Sequence, residues 1–408
     1  MTDGKILLIA NNFPPVRGGS AVVYDNLARN AADRIVVLAP KINYIDGLPI
    51  IGWREHDRRA EYRVVRLPLL RTTIRTEDQS GLAKLWFLAV DLWLRLHLVT
   101  AVLRLIREEK ITAVCIGELL ASGWLLPILR LLSRVRLLVY VHGEEITTED
   151  LYDPGARRRR SVLSNAHQII VVSRFTRKAV RDLIGPAADA KTTLIENGVN
   201  SARFRCHQRR QDLVELYRLT GSFVFVSVCR LLEKKGIDNA IRAFAQIAPD
   251  HPDCRYLIVG AGPFQQRLQE IAAEAGVKDK VIFTNQVPDH ELVDHYCLGD
   301  VFVMPNRELP NGDTEGFGLV FLEANSCGLP VIAGRDGGST DAVRHGENGL
   351  VVNGASIDEI AAAMISLRQD TGLRQAISTR GLAIAASSDW KEKIAVFVRL
   401  CLGDPASA

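Results

Sequence analysis

Four charged side chains in the second half of the chain have the types and spacing to bind a diphosphate and the hydroxyl groups on either side of it. Arg230 follows the apolar run FVFVSV, and Lys235 stands just before Gly236. A guanidinium fork and a point-charge ammonium together suit two phosphates. Glu315 and Glu323 flank the stretch GFGLVFL, and their carboxylates can accept hydrogen bonds from hydroxyls. A solvated lysine is the alternative for Lys235, but the helix dipole disfavours a cation at a helix start unless an anion is present.

The turn between the two glutamates predicts an anion site made of backbone amides. The first N–H groups of a helix lack helical partners and favour an anion. The predicted amide cradle is Gly316, Phe317, Gly318 and Leu319. With Glu315 holding a sugar and Glu323 a ribose at opposite ends of the phosphates, the ligand is a nucleotide sugar. In the alternative, Glu315 is a first-turn acid and Glu323 is solvated, but the apolar neighbours of Glu323 favour a functional carboxylate because a buried charge needs partners.

A glycine pair in the first half offers a ligand a second approach to bare backbone. Gly18 and Gly19 follow the predicted strand at 5–10, and Ser20 is predicted to cap the next helix. The pair lacks the G-x-G-x-x-G spacing of a dinucleotide fingerprint, so an ordinary tight turn is the alternative.

His142 and Gly143 end another predicted strand. Open α/β sheets bind ligands at the carboxyl ends of their strands, and a histidine there can donate to a ligand oxygen or sense its charge. The alternative is a histidine that neighbouring backbone satisfies.

These residues need a scaffold of parallel strands. Short apolar runs alternate with amphipathic stretches along the whole chain, which predicts βαβ units. The predicted strands are residues 5–10, 34–39, 62–67, 112–117, 136–141, 168–172, 192–195, 223–228, 255–260, 280–284, 300–305, 330–334 and 348–352. The pattern restarts after residue 205. We therefore predict an α/β fold of two Rossmann-like doubly wound domains that face each other across a cleft, at residues 1–203 and 204–390.

Composition excludes several other classes of protein. The 408 residues carry a net charge of +4, which does not argue for nucleic acid binding, and 47% of them are hydrophobic, as in an ordinary globular protein. The seven cysteines are odd in number and form no C-x-x-C pair. We therefore expect a reduced, cytosolic chain with neither a zinc site nor a disulfide framework. The N-terminal residues show no secretion-signal pattern.

Two long apolar stretches need a separate interpretation. Charged residues interrupt both residues 85–106 and residues 119–141, so neither is predicted to span a membrane. The stretch 84–107 combines tryptophans and leucines with arginines, and RRRR follows at 157–160. Together they predict peripheral contact with the inner face of an anionic membrane and a lipid acceptor. An interior helix of the first domain is the alternative.

Taken together, the motifs resemble those of the retaining glycosyltransferases of family 4, which have the GT-B fold. The matching pieces follow the family's order over nearly the whole chain: the glycine pair, HG at 142–143, SRFT at 173–176, ENGV at 196–199, Arg230 with Lys235, and EGFGLVFLE at 315–323. The last is the family's pattern of two glutamates separated by seven residues.

The resemblance implies that the second domain holds a nucleotide-diphospho-sugar, that the first holds a hydroxyl acceptor, and that the cleft closes on binding. Arg230 and Lys235 would contact the diphosphate and stabilise the charge of the leaving group. Glu315 and the backbone of 316–319 would contact the transferred sugar and the phosphates, and Glu323 the ribose. The implied catalytic residues are His142, Arg230, Lys235 and Glu315.

Other parts of the donor site follow from the same resemblance. His142 would lie near the reacting carbon, and Gly18 and Gly19 would approach the phosphates in the closed state. The base would meet mainly backbone around Asn285 and Val287.

The resemblance also implies a chemistry without a carboxylate nucleophile. The departing phosphate oxygen would deprotonate the acceptor on the same face of the sugar, so that the anomeric configuration is retained. No metal is expected, since the chain contains no D-x-D pair, and no cofactor is expected, since the nucleotide sugar is a co-substrate.

Two further features carry expectations. The last segment, 391–408, would cross back to the first domain, with Trp390 at the crossing. The stretch NRELPNGDT before Glu315 is longer than the family's commonest loop and resembles the branch that transfers mannose to lipid-linked or inositol-containing acceptors.

Three other functions fit the same scaffold. A nucleotide-sugar epimerase would need no acceptor. A phosphorylase would need inorganic phosphate and commonly a pyridoxal-binding lysine, for which the sequence has no clear motif. A sugar-nucleotide sensor would be expected to have lost part of the charged set, which is present in full.

Overall fold

The computed structural model describes residues 4–73, 81–149 and 153–403, which form two parallel sheets. The first has seven strands in the order β3-β2-β1-β4-β5-β6-β7, and the second has six in the order β10-β9-β8-β11-β12-β13. The first-sheet strands are β1 Lys5–Ile9, β2 Ile35–Pro40, β3 Arg63–Leu67, β4 Ile111–Ile116, β5 Arg136–Val141, β6 Gln168–Val171 and β7 Thr192–Leu194. The second-sheet strands are β8 Phe223–Val228, β9 Cys254–Val259, β10 Val281–Asn285, β11 Val301–Met304, β12 Val331–Gly334 and β13 Gly349–Val352. The predicted α/β fold with two doubly wound sheets is confirmed.

The helices connect consecutive strands and cover both sheets. Those of the first half are α1 Gly19–Asn30, α2 Trp53–Arg59, α3 Gly81–Glu108, α4 Leu119–Ser122, α5 Leu125–Leu132, α6 Glu144–Thr147, α7 Arg157–Asn165 and α8 Arg174–Ile184. Those of the second half are α9 Gln211–Leu216, α10 Ile237–Ile247, α11 Gln265–Glu274, α12 Leu292–Cys297, α13 Leu319–Ser326, α14 Ser339–Ala342, α15 Ile357–Gln369, α16 Thr371–Ser387 and α17 Trp390–Leu402.

Alternate residues of the first sheet point into two different cores. Leu7 and Ile9 of β1 pack with Leu98 of α3 and Leu125 of α5 on one face. Ile6 of β1 packs on the other face, in the core that continues into the second domain. Because helices cover both faces, the strands read as continuous apolar runs, which is why the sequence locates them well.

The last helix returns to the first domain, as predicted. Helix α17 packs against α1 and against β1, β4 and β5. Trp390 is 3% exposed at the crossing. The N–H of Val199 donates to the carbonyl of Ser388 at 2.9 Å, so the two connections between the domains run side by side. Residues 404–408 of the predicted segment lie outside the described residues, and the domain boundary at 203/204 stays a prediction.

Two expectations about local structure are wrong. Helix α1 begins at Gly19, so Ser20 lies inside it, and Gly18 occupies the N-cap position without a side-chain cap. Cys206 and Cys297 form a disulfide, whereas the sequence suggested that all cysteines are reduced. The segment after the first domain folds onto α12, where Phe204 packs edge-on against Tyr296, and this contact brings together two cysteines that are 91 residues apart.

Candidate functional site

The predicted site residues lie at the carboxyl ends of strands in both sheets, on the two sides of one cleft. In the first domain the glycine pair follows β1 and His142 follows β5. In the second domain Arg230 follows β8, and Glu315 precedes α13 after β11. Parallel strands end at the same edge of a sheet, so the fold itself gathers these residues.

Lys235 and Glu315 form an ion pair in this cleft. Their side chains are 15% and 14% exposed. Burial alone would raise the pKa of Glu315, but the charge and hydrogen bond of Lys235, with a further contribution from Lys234, lower it below its ordinary value. Glu315 is therefore an ionised carboxylate at neutral pH.

Arg230 is an exposed cation that pairs with no carboxylate within the described ranges. Tyr44 of the first domain lies close enough for its pKa to respond to Arg230. Burial and the Glu118 carboxylate raise the pKa of Tyr44, and Arg230 opposes that shift. An exposed guanidinium at the edge of the cleft is available to an anion.

Two helix starts face each other across the cleft. Neither α1 nor α13 has a side-chain N-cap. A methyl group on Gly19 would come within 3.9 Å of the Leu319 side chain, so the two starts are close together. A helix start has backbone N–H groups without helical partners and the positive end of a helix dipole, so two neighbouring starts suit an anion.

The two domains touch through glycines, so the cleft is closed at this point. A Cβ on Gly316 would lie 1.8 Å from the carbonyl oxygen of His142. A Cβ on Gly143 would lie 3.0 Å from the Cα of Gly316. Only residues without a side chain allow this approach of the two backbones.

His142 is held as a neutral ring. Tyr24 donates its hydroxyl hydrogen to the carbonyl of Gly117, so its oxygen accepts from Nε2–H of His142 at 2.8 Å. Burial lowers the pKa of His142 to about 4. Tyr140 stacks on the ring with centroids 5.0 Å apart. Since Nε2 is used inside the domain, Nδ1 is the nitrogen that can meet a ligand, and it accepts a hydrogen instead of donating one.

Sequence reasoning missed two half-buried carboxylates near His142. Both oxygens of Glu118 accept backbone N–H groups, from Asn11 at 2.7 Å and from Asn12 at 3.1 Å. Glu145 accepts the N–H of His142 at 2.7 Å. Burial raises the pKa of each carboxyl to about 7. Their positions, two residues after β4 and four residues after β5, were the available signal, since residues that follow parallel strands lie at the ligand-binding edge of the sheet.

Glu323 is a half-buried carboxylate whose oxygen Oε2 accepts the hydroxyl hydrogen of Tyr296 at 2.7 Å. Burial raises its pKa above the ordinary value, while the Tyr296 hydrogen bond and nearby Arg203 act in the opposite direction. The carboxylate is thus partnered and not solvated, which disfavours the surface alternative. Its contact with a ribose stays a prediction.

The stretch predicted to meet the base touches the glycine loop of the other domain. Arg17 donates to the carbonyl of Val287 at 2.7 Å. The side-chain amide of Gln265 donates to the side-chain oxygen of Asn285 at 2.6 Å, and the main-chain carbonyl of Asn285 accepts the N–H of Gly260 at 3.0 Å. Arg17 was not predicted, because nothing in a loop sequence marks a contact that only domain closure creates.

The structure thus brings together Gly19, His142, Lys235, Glu315 and the 316–319 backbone, with Arg230 at the same cleft. Asn285, Val287 and Glu323 lie on the second domain, where the carbonyl of Val287 accepts from Arg17 of the glycine loop. Among the described residues, no group of three or more His, Cys, Asp or Glu side chains is placed to hold a metal ion. Metal independence and the absence of a cofactor stay predictions.

Comparison with known proteins gives two family matches. The model described as "Glycosyltransferase Family 4" matches residues 17–203, and the one described as "Glycosyl transferases group 1" matches residues 209–383. A Mycobacterium tuberculosis protein named GDP-mannose-dependent alpha-(1-6)-phosphatidylinositol monomannoside mannosyltransferase is 33% identical over 411 residues, which is 99% of each chain.

Two solved structures share the fold. Sucrose-phosphate synthase from Thermosynechococcus elongatus superposes with a TM-score of 0.76 at 23% identity, covering 97% of this chain and 98% of that one. The Anabaena protein HepE in complex with UDP superposes with a TM-score of 0.75 at 22% identity, covering 97% of this chain and 99% of the other.

Proposed function

Because the chain belongs to the glycosyltransferases of family 4, we propose that it transfers mannose from GDP-mannose to a phosphatidylinositol-linked acceptor with retention of anomeric configuration. The donor and acceptor rest on one observation, the 33% identity over 99% of both chains to a mannosyltransferase whose name specifies them. That likeness spans the acceptor-binding half as well as the donor-binding half. It disfavours the epimerase, phosphorylase and sensor alternatives.

The cleft has the groups that such a donor needs. The diphosphate would lie between Arg230 and Lys235 of the second domain and the two uncapped helix starts of α1 and α13. Charge that develops on the leaving GDP would then meet preorganised cations and amides, which is usually the largest contribution to catalysis of this kind.

The carboxylate and the histidine would orient the mannose. Glu315 is ionised and can accept hydrogen bonds from sugar hydroxyls once the diphosphate binds its partner Lys235. Nδ1 of the neutral His142 can accept a further hydroxyl hydrogen. Neither group acts as a nucleophile. The departing phosphate oxygen would take the acceptor proton on the face of the sugar where the new bond forms.

Helix α3 supports a lipid-linked acceptor. It has 28 residues and contains the stretch Lys84–Glu108, which is long and apolar enough to cross a membrane, with a mean hydropathy of 1.6. Its inner face packs on the first sheet through Leu98, Val102 and Leu105, so that face is not available to lipid. Among the described side chains of this helix, the exposed large apolar residues lie between positions 85 and 96: Leu85, Trp86, Leu88, Leu92, Trp93 and Leu96.

The exposed part of α3 begins at the carboxyl edge of the first sheet. The helix follows β3 and runs back to the start of β4, so its first turns are at the carboxyl edge of the sheet. Thr72, just after β3, bonds to Asp91 of the helix at 3.3 Å. Helices α7 and α8, on the same face of the sheet, add arginines and a lysine. Exposed apolar residues and cations on one face of the sheet suit the interface of an anionic bilayer, which would place a lipid acceptor on the side of the strand ends.

The activity test is mannose transfer from labelled GDP-mannose to phosphatidylinositol monomannoside in mixed vesicles. Reactions with UDP-glucose and reactions without acceptor are the controls, and NMR of the product gives its anomeric configuration. We expect an α-linked mannolipid in the reaction that contains GDP-mannose and the acceptor, and no product in either control. Transfer from UDP-glucose in preference to GDP-mannose would overturn the donor, and a β-linked product would overturn retention.

Membrane contact has a separate test, flotation with vesicles that contain phosphatidylinositol. Changing Leu88 and Leu92 to serine should reduce the floated fraction. The matched control changes Leu216 and Leu382 of the second domain, which are also exposed apolar residues. Equal flotation of both variants, or no flotation of the parent at any salt concentration, would refute contact through α3.

A further inference from the structure

The stretch 306–314, which we call the latch loop, is a rigid arm of the second domain. Arg307 bonds to both carboxylate oxygens of Asp238, at 2.7 and 3.1 Å, and Asp238 is 7% exposed. The N–H of Leu309 donates to the carbonyl of Asp313 at 2.9 Å, and the N–H of Gly312 donates to the carbonyl of Leu309 at 2.8 Å. The loop therefore holds its shape through contacts within its own domain.

The tip of the latch loop docks on residues 143–149 of the first domain. The N–H of Glu149 donates to the carbonyl of Asn311 at 2.8 Å. A Cβ on Gly312 would lie 2.4 Å from the carbonyl oxygen of Thr147, so the two backbones are in direct contact. These contacts exist only while the cleft is closed, because they join the two domains.

A buried ammonium beneath the loop is shared by both domains. Lys234 is 6% exposed and donates to Asp313 at 2.7 Å and to Glu144 at 2.9 Å. Asp313 belongs to the latch loop, whereas Glu144 belongs to α6 of the first domain. Burial would lower the pKa of Lys234, but the two carboxylates outweigh it and raise that pKa, so the ammonium stays charged.

The arrangement gives Glu144 a role in closure. In an open cleft Lys234 would keep its ion pair with Asp313 and lose the one with Glu144. Because this ammonium is poorly solvated, the return of Glu144 on closure would stabilise it electrostatically. Lys234 is next in sequence to Lys235, which pairs with Glu315, so the shared ammonium lies beside the donor site. The Glu144 side chain is 67% exposed, so its replacement leaves the packing of either domain unchanged.

We propose that the latch loop and the Lys234–Glu144 pair hold the cleft closed around the donor, with Glu144 as a positioning residue for transfer. The kinetic part of this inference rests on the proposed function, whereas the closure itself does not. In this role Glu144 would contact Lys234 and neither the donor nor the acceptor. It acts through Lys234 on the population of the closed state, so its loss should raise the KM for the donor more than it lowers kcat.

The first test measures closure without any substrate. Cysteines replace Glu149 and Asn311, whose main chains touch, and mild oxidation joins them when the latch is docked. We expect crosslinking in the otherwise unchanged chain and at least tenfold slower crosslinking when Glu144→Lys is added, since that change sets two ammonium groups face to face. Equal crosslinking rates in the two backgrounds would overturn the proposal.

The second test uses donor kinetics of the full chain. Glu144→Gln should raise the KM for GDP-mannose about two- to fivefold, as expected for an exposed ion pair, and Glu144→Lys should raise it at least tenfold. Glu144→Asp should restore much of the loss. Glu61→Lys is the matched control, because it makes the same charge change at an exposed side chain of the first domain that lies outside the latch contact.

The two tests separate the latch from the proposed function. If no nucleotide sugar is turned over by the parent, the proposed function fails, and the crosslinking rate still decides the latch. If GDP-mannose is used but Glu144→Lys leaves both KM and the crosslinking rate unchanged, the latch is refuted and the proposed function stands.

Discussion

The ammonium of Lys235 is hydrogen bonded to the carboxylate of Glu315, and both side chains are largely buried. The two ions neutralise each other. By the family resemblance, Lys235 would contact the diphosphate of the donor and Glu315 its sugar. A diphosphate that reaches Lys235 would supply a new anion, and Glu315 would then be free to accept hydrogen bonds from the sugar. The pair thus keeps two costly buried charges satisfied until the donor replaces their mutual contact.

Lys235→Ala should lower kcat/KM for GDP-mannose by about 30- to 1,000-fold, which corresponds to roughly 2–4 kcal/mol of lost transition-state stabilisation. The physical reason is that the leaving diphosphate loses a preorganised cation. Steady-state kinetics measure the effect, and circular dichroism confirms that the variant is folded, since Glu315 loses its partner. Lys278→Ala, at an exposed lysine of the same domain, is the matched control. Activity within a factor of two of the parent would exclude this role for Lys235.

Glu323→Ala should weaken GDP binding about tenfold, because a charged acceptor for the ribose hydroxyls is removed. Tyr296→Phe should have a smaller effect, since it removes only the hydroxyl that donates to Glu323 at 2.7 Å. Isothermal titration calorimetry with GDP measures both variants. An unchanged dissociation constant for Glu323→Ala would count against the ribose assignment, and a larger loss for Tyr296→Phe would mean that the tyrosine contacts the nucleotide itself.

The unfolding free energy should fall as pH rises from about 5 to 8, owing in part to Glu118 and Glu145. Burial raises both pKa values from 4.5 to about 7, so the native protein binds more protons than the unfolded chain in this window. The contribution of these two carboxyls to the free energy of unfolding is fully present below pH 4.5 and is lost as the pH rises through 7. The lowered pKa of His142 acts in the opposite direction below pH 6.5.

Glu118→Gln isolates the Glu118 contribution, because the amide cannot ionise and the His142 effect cancels between variant and parent. Urea unfolding at pH 5 and pH 8 should show a smaller decrease for Glu118→Gln than for the parent. Glu215→Gln, at an exposed acid of the second domain, should follow the parent. Parallel profiles for Glu118→Gln and the parent would show that Glu118 does not titrate in this range.

The strands and the order of the motifs were predictable because each depends on local sequence. A parallel strand covered on both faces is an unbroken apolar run, so β5 and β8 are found at their predicted bounds. The carboxyl ends of such strands are where ligands bind, and this places His142, Arg230 and Glu315 at the cleft without a structure. The confirmed fold therefore follows from pattern alone.

The parts that were not predicted depend on contacts between distant segments. Nothing in the sequence indicates that Arg17 reaches Val287, that Lys234 joins Glu144, or that Cys206 meets Cys297. Ser20 was a reasonable cap by residue type, but the helix begins one residue earlier, at Gly19, which leaves Gly18 in the N-cap position. Most of these contacts form only when the two domains close on each other. No short stretch of sequence indicates which residues will meet on closure.

Gly316→Ala should lower kcat/KM at least tenfold while leaving the unfolding free energy within about 1 kcal/mol of the parent. The added methyl would lie 1.8 Å from the carbonyl oxygen of His142, and its three nearest neighbours all belong to the other domain, so the clash arises on closure and not on folding. Gly316 does not have a positive φ, so alanine adds no backbone strain there.

Kinetics with GDP-mannose and urea unfolding are the measurements. Gly372→Ala, at a glycine in the first turn of α16 that also lacks a positive φ, is the matched control. Full activity of Gly316→Ala would mean that transfer does not require this approach of the domains, whereas a large loss of stability would place the clash inside the second domain.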